Sequence, residues 1–120
     1  MTEWWRKTAV EITAAIKNKQ TSAEEVMTSH LGRVDAVNGK LNAITVRLDD
    51  EALAGARAAD AAQAAGEPLG SLHGVPVTIK ENVDQKGFAT TNGVEAFVDM
   101  VASDDSPVVA NLRKAGAIPM

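Results

Sequence analysis

Lys80 closes an apolar run, Val75-Pro76-Val77-Thr78-Ile79, and is followed at once by Glu81, Asn82 and Asp84. The run reads as a buried strand that opens at a proline. An ammonium at the end of such a strand has two fates. It reaches solvent, the commoner outcome, because long side chains snorkel. Or it is desolvated, and burial then favours the neutral amine that can act as a general base. A lysine base serves a hydroxyl nucleophile, as in the Ser-Lys variants of triad chemistry. On pattern alone the solvent-reaching reading of Lys80 leads, and a catalytic base is the alternative. His73 precedes Gly74 in a turn and has no acidic neighbour in sequence, so a structural bond to the backbone is expected of it. His30 falls in a helical stretch and reads as a surface or interface residue. Two histidines far apart and no cysteine give no metal-ligand spacing, so neither a metal nor another cofactor is expected.

The elements that must position Lys80 can be read from periodicity and punctuation. Thr8 to Lys19 reads as a first helix, with Ala9, Ile12 and Ile16 at helical spacing. A second helix begins at Thr21-Ser22, where Ser22 and Glu25 form a capping-box pattern. Its apolar stripe is Val26, Leu31, Val34 and Val37, and Asn38-Gly39 is the expected stop. Leu41 to Leu48 is expected to be a strand. Asp49 or Asp50 could cap a third, alanine-rich helix through Ala65, stopped by Gly66. The strand Val75–Lys80 follows a loop at residues 67–71. Thr90-Thr91-Asn92-Gly93 carries turn chemistry, because threonine and asparagine side chains bond locally to the backbone. Phe88 and Met100 read as packing residues, with pocket lining as the alternative. Ser106-Pro107 starts another helix, Gly116 stops it, and Ala117-Ile118 opens a strand with little room to finish before Met120. Helices alternating with strands indicate an α/β fold.

Composition narrows the function classes. The chain has 120 residues, 45% hydrophobic and 23% charged, which suits one domain or part of one. A net charge of −4 with interspersed signs offers no basic stripe, so no nucleic-acid partner is expected. No apolar run approaches the roughly 18 residues of a membrane span, and no signal-peptide core follows Met1. A cytoplasmic location, with no membrane partner, is the expectation. Trp4 and Trp5 precede the first helix and read either as an interface anchor or as a cover for the domain edge.

The block from Gly70 to Gly93 resembles the start of the amidase signature family. The matching text is Pro68-Leu69-Gly70, then Leu72-His73-Gly74-Val75-Pro76-Val77-Thr78-Ile79-Lys80-Glu81-Asn82-Val83-Asp84, then Gly87 and Ala89-Thr90-Thr91-Asn92-Gly93. Asp105 to Ile118 is similar to the helix and strand that come next in that family, and the resemblance covers nearly the whole chain. It implies the N-terminal part of the amidase signature fold, an α/β arrangement with helices packed on a mixed sheet, in incomplete form. Residues 1–120 would form one N-terminal segment, with a helical start over about 1–40 and a strand-helix-strand core over about 41–120.

The resemblance also implies chemistry. Family members hydrolyse amides through a serine, a second serine on a cis peptide, and a lysine. Lys80 matches the lysine, and the serine-rich motif is expected beyond Met120. The chain is thus expected to bring the catalytic lysine to an amidohydrolase that cleaves C–N bonds, and to be inactive alone. A noncatalytic association module derived from such an enzyme is the alternative. The complete enzyme would take a small-molecule amide, with its identity and the substrate-binding residues left open. A homodimer or a complementing C-terminal part would be the protein partner. Glu81 stands where the family often has Asp, and Asn92-Gly93-Val94 stands where it often continues Gly-Ser.

Overall fold

The computed structural model describes residues 2–120. A short 3-10 turn at Trp4–Arg6 leads into α1 (Ala9–Lys17), α2 (Ala23–Leu41) and α3 (Asp49–Ala64). The chain then forms β1 (Pro76–Val77), a second 3-10 turn at Glu95–Phe97, α4 (Pro107–Lys114) and β2 (Ile118–Pro119).

The helix starts follow capping chemistry. Thr8 and Ser22 each head a capping box, with Glu11 and Glu25 returning the bond to the cap backbone. Ser106 caps α4 with Pro107 at its first position. The N-terminus of α2 has a further partner, from α3. Asp60 accepts hydrogen bonds from the backbone N–H of Ala23 at 2.7 Å and of Glu24 at 3.1 Å. A carboxylate there suits the positive end of the helix dipole.

The core lies where α1, α2 and α3 meet the strands. Ile12 and Ile16 from α1, Val26, Met27 and Leu31 from α2, and Ala52 and Ala56 from α3 close over Val75 and Ile118. The alanines of α3 give that helix a thin profile. A Cβ built at Gly55 would sit 3.1 Å from Ile118 Cγ2, so α3 lies close against β2. Trp4 packs against the same core, while the guanidinium groups of Arg6 and Arg33 lie over the Trp5 ring, 4.5 and 4.3 Å from its centre. The edge-cover reading of this pair therefore holds for Trp4.

β1 and β2 pair in parallel, Pro76 with Ile118 and Val77 with Pro119. The N–H groups of Ile118 and Met120 donate to the carbonyls of Val75 and Val77 at 2.8 and 3.0 Å. The antiparallel component is a single bridge, Ala89 with Val101, outside this sheet.

Three local expectations need correction. Residues 42–48 are irregular, not a strand. The Asn38 side chain accepts from the N–H groups of Ala43 and Ile44 and donates to the Ile44 carbonyl, so it satisfies backbone that a sheet neighbour would otherwise hold. The second helix runs past Gly39 to Leu41 and ends at Asn42, in a left-handed conformation at φ 49°. The strand expected over Val75–Lys80 is paired only at Pro76–Val77, because β2 ends at Pro119 and gives no ladder to Thr78–Lys80.

Candidate active site

The segment that carries Lys80 is fixed from behind. His73 is buried, and its Nε2 lies 3.0 Å from the Ala59 carbonyl oxygen of α3. A carbonyl only accepts, so Nε2 carries the hydrogen. The structural role expected for this histidine is what the geometry gives. Gly74 follows at φ +77°, with no room for a side chain between Ile16 and Ala23. Val75 enters the core, β1 pairs with β2, and the chain emerges at Lys80.

Lys80 is exposed, the commoner fate of a lysine at a strand end. Val75 is buried and Ile79 partly so, but the two-stranded sheet stops short of the lysine. The residue lines an open cleft of about 520 Å³. Residues from 43–48 and 78–89 line it together with Met120, and Ile44, Val46, Leu48, Ile79, Val83 and Phe88 are among the apolar ones. Phe88 is thus a pocket residue, whereas Met100 is 58% exposed elsewhere. The charged side chains on the cleft are Lys80 and Glu81. Lys80 makes no ion pair among the described residues.

The acidic residues after the lysine organise the next loop. Glu81 Oε1 accepts from the Thr91 hydroxyl and, at 3.3 Å, from the Gly93 N–H. The Thr91 hydroxyl, with backbone N–H groups of Gly93 and its neighbours, holds the Glu81 carboxyl below the usual carboxylate range despite an opposing desolvation effect. Asp84 Oδ1 accepts from the Thr90 hydroxyl at 2.5 Å, and the Asp84 carbonyl accepts from the Ser106 N–H. Asp105 in turn accepts from the Lys86 N–H at 2.8 Å and pairs with Arg113 at 3.0 Å.

The sequence also offers no hint of Gln85. It is nine-tenths buried under the cleft, and its amide nitrogen has no hydrogen-bond partner among the described residues. Its signal was polar placement between charged neighbours, which reads as exposed. His30 bonds locally, Nδ1 to the Val26 carbonyl at 2.8 Å, and takes no part in the site. Among the described residues no group of three or more histidine or acidic side chains could hold a metal ion, and no helix is long and apolar enough to cross a membrane.

Likeness to known proteins bears on this geometry. The family model described as Amidase matches residues 25–120. An indoleacetamide hydrolase from Bradyrhizobium diazoefficiens is 54% identical over 114 residues, covering 95% of this chain and 22% of that protein. An acylamidase from Rhodococcus erythropolis is 37% identical over 110 residues, covering 92% of this chain and 23% of its own length. Among solved structures, a bacterial aryl acylamidase of the amidase signature family superposes with a TM-score of 0.88 at 29% identity, over 95% of this chain and 24% of that one. The chain thus spans about a quarter of the length of the relatives it matches.

Proposed function

The chain belongs to the Amidase family, and on that premise we propose that it is the N-terminal segment of an amidohydrolase cleaving C–N amide bonds, with Lys80 as its catalytic base. The observation that carries this reading is Lys80 itself: an ammonium with no ion-pair partner among the described residues, lining a cleft with many apolar side chains, in the motif where the family has its lysine.

The chemistry follows the Ser-cisSer-Lys scheme that the resemblance implies. The neutral amine of Lys80 takes a proton from the cis-peptide serine as that serine takes one from the nucleophilic serine. The nucleophile attacks the amide carbon, the C–N bond breaks as the proton passes to the departing nitrogen, and water then hydrolyses the acyl-serine. Both serines and the oxyanion donors lie outside residues 1–120, so Lys80 works only once they are brought to it. Packing them over the exposed lysine would also bury it, which favours the neutral amine.

The cleft walls favour a small amide with an apolar acyl part. The name of the indoleacetamide hydrolase among the relatives carries such an acyl part. Val98, Met100, Val101 and Val108 are each more than half exposed. We take these exposed apolar side chains as surface that meets the rest of the enzyme or a second copy. The same side chains favour the second reading, a noncatalytic association module. A cytoplasmic setting suits a chain without cysteine.

The test is an amide-hydrolysis assay on residues 1–120 alone and on a complete amidase containing them. The complete enzyme is expected to turn over apolar amides and the isolated chain to leave them intact. Robust turnover by the isolated chain would contradict the need for the serines; a complete enzyme inert to every amide would favour the association module.

A further inference from the structure

Glu81 directly follows Lys80, yet its carboxylate is not paired with that ammonium. It is held instead by neutral donors, the Thr91 hydroxyl and the Gly93 N–H. The turn that supplies them is built for this. Asn92 and Gly93 have φ of 52° and 73°, both left-handed. That conformation folds the chain back, so that the hydroxyl before the turn and the N–H at its end converge on one oxygen.

The other charges near this segment are likewise committed or distant from the cleft lining. Asp84 is held by Thr90 at 2.5 Å, and Asp105 by Arg113 and the Lys86 backbone. Across the cleft Arg47 pairs with Asp35 and Asp49, each at 2.6 Å. Lys86, the other cation on this stretch, does not line the cleft. Among the described residues Glu81 is therefore the one side-chain carboxylate on the cleft that could become a counter-ion for Lys80.

We propose that the Thr91–Gly93 turn sequesters the Glu81 carboxylate and so keeps Lys80 without a counter-ion. This rests on the reading of Lys80 as a base. An opposite charge within about 4–6 Å favours the ionised form of a lysine, whereas a base must give up its proton to act. A carboxylate satisfied by a hydroxyl and an N–H stays ionised without holding the ammonium. Thr91 is thus a positioning residue that acts through Glu81 and touches no reacting atom.

The experiment is a site-resolved NMR titration of Lys80 in the 120-residue chain with labelled lysine side chains, which needs no activity. In Thr91→Val the released carboxylate is expected to move the Lys80 titration to higher pH by about half a unit, the scale of an exposed ion pair. Thr91→Ser keeps the hydroxyl and is expected to leave it in place. Adding Glu81→Gln to Thr91→Val is expected to bring it back. An unmoved Lys80 titration in folded Thr91→Val overturns the proposal. Should Thr91→Val fail to fold, Glu81→Gln alone decides. Sequestration expects almost no shift on losing the Glu81 charge, and a fall of about half a unit or more, the same ion-pair scale, overturns it. A complete enzyme that keeps its activity in Lys80→Ala would sink the base assignment but leave this titration result standing.

Discussion

The His73 imidazole and the Ala59 carbonyl, 3.0 Å apart, tie the turn that leads to Lys80 onto the third helix. The bond spans loop and helix at a buried position, so it fixes where the Lys80 segment begins. His73→Ala removes both the bond and a buried ring. It is expected to lower stability by about 2–3 kcal/mol, read from urea denaturation.

Gly74 is the next anchor. A Cβ there would lie 2.8 Å from Ile16 Cδ1 and 2.9 Å from Ala23 Cβ, on a residue with φ +77°. Gly66 has a similar φ, +75°, but open space around it. Gly66→Ala is expected to cost only the left-handed backbone penalty, about 1 kcal/mol. Gly74→Ala adds overpacking of about 1–3 kcal/mol. Denaturation midpoints should rank parent, Gly66→Ala, Gly74→Ala; equal losses would show that the Gly74 contacts relax freely.

The start of the second helix offers a comparison between a local cap and a distant one. Ser22→Ala breaks the local capping box and is expected to lose about 1 kcal/mol. Asp60→Ala removes two charge-assisted bonds that also join α2 to α3. Its expected loss is larger, about 2–3 kcal/mol. Thermal melts of the two variants decide the order.

Acid should loosen the loop beside Lys80. The Glu81 carboxyl titrates below its ordinary value of 4.5 in the folded chain, chiefly because of the Thr91 hydroxyl. A depressed folded value gives stability that is present above the unfolded value and lost as pH falls through the folded one. Glu11, bonded to Thr8, behaves in the same direction. Melting temperatures of the parent and of Glu81→Gln are therefore expected to converge as pH falls below about 4.5 and to differ above it. A constant difference from pH 7 to pH 3 would show that the carboxylate charge plays no part.

Much of this architecture was legible in the chain because capping and periodicity are local. Ser22 with Glu25, Ser106 with Pro107, and the Ile12–Ile16 stripe each specify their own element, and each is present. Pairing is not local. Residues 42–48 have strand-like composition, but the Asn38 side chain claims their backbone groups, and no run of residue types announces that. The Lys80 strand shortens for a related reason, since its length depends on how far β2 extends. In the site, the role of His73 was open to inference from type and position, whereas Phe88 read first as a packing residue. Asp60, Gln85 and the Glu81–Thr91 bond were not, because each depends on which distant residue the fold delivers.

Lys80 as the catalytic base is the central claim, and its removal from a complete amidase containing this segment tests it most directly. Steady-state amide hydrolysis by Lys80→Ala, with folding verified by circular dichroism, is expected to show kcat reduced by about 10²–10⁴-fold. Unchanged kcat in a folded variant would contradict the assignment.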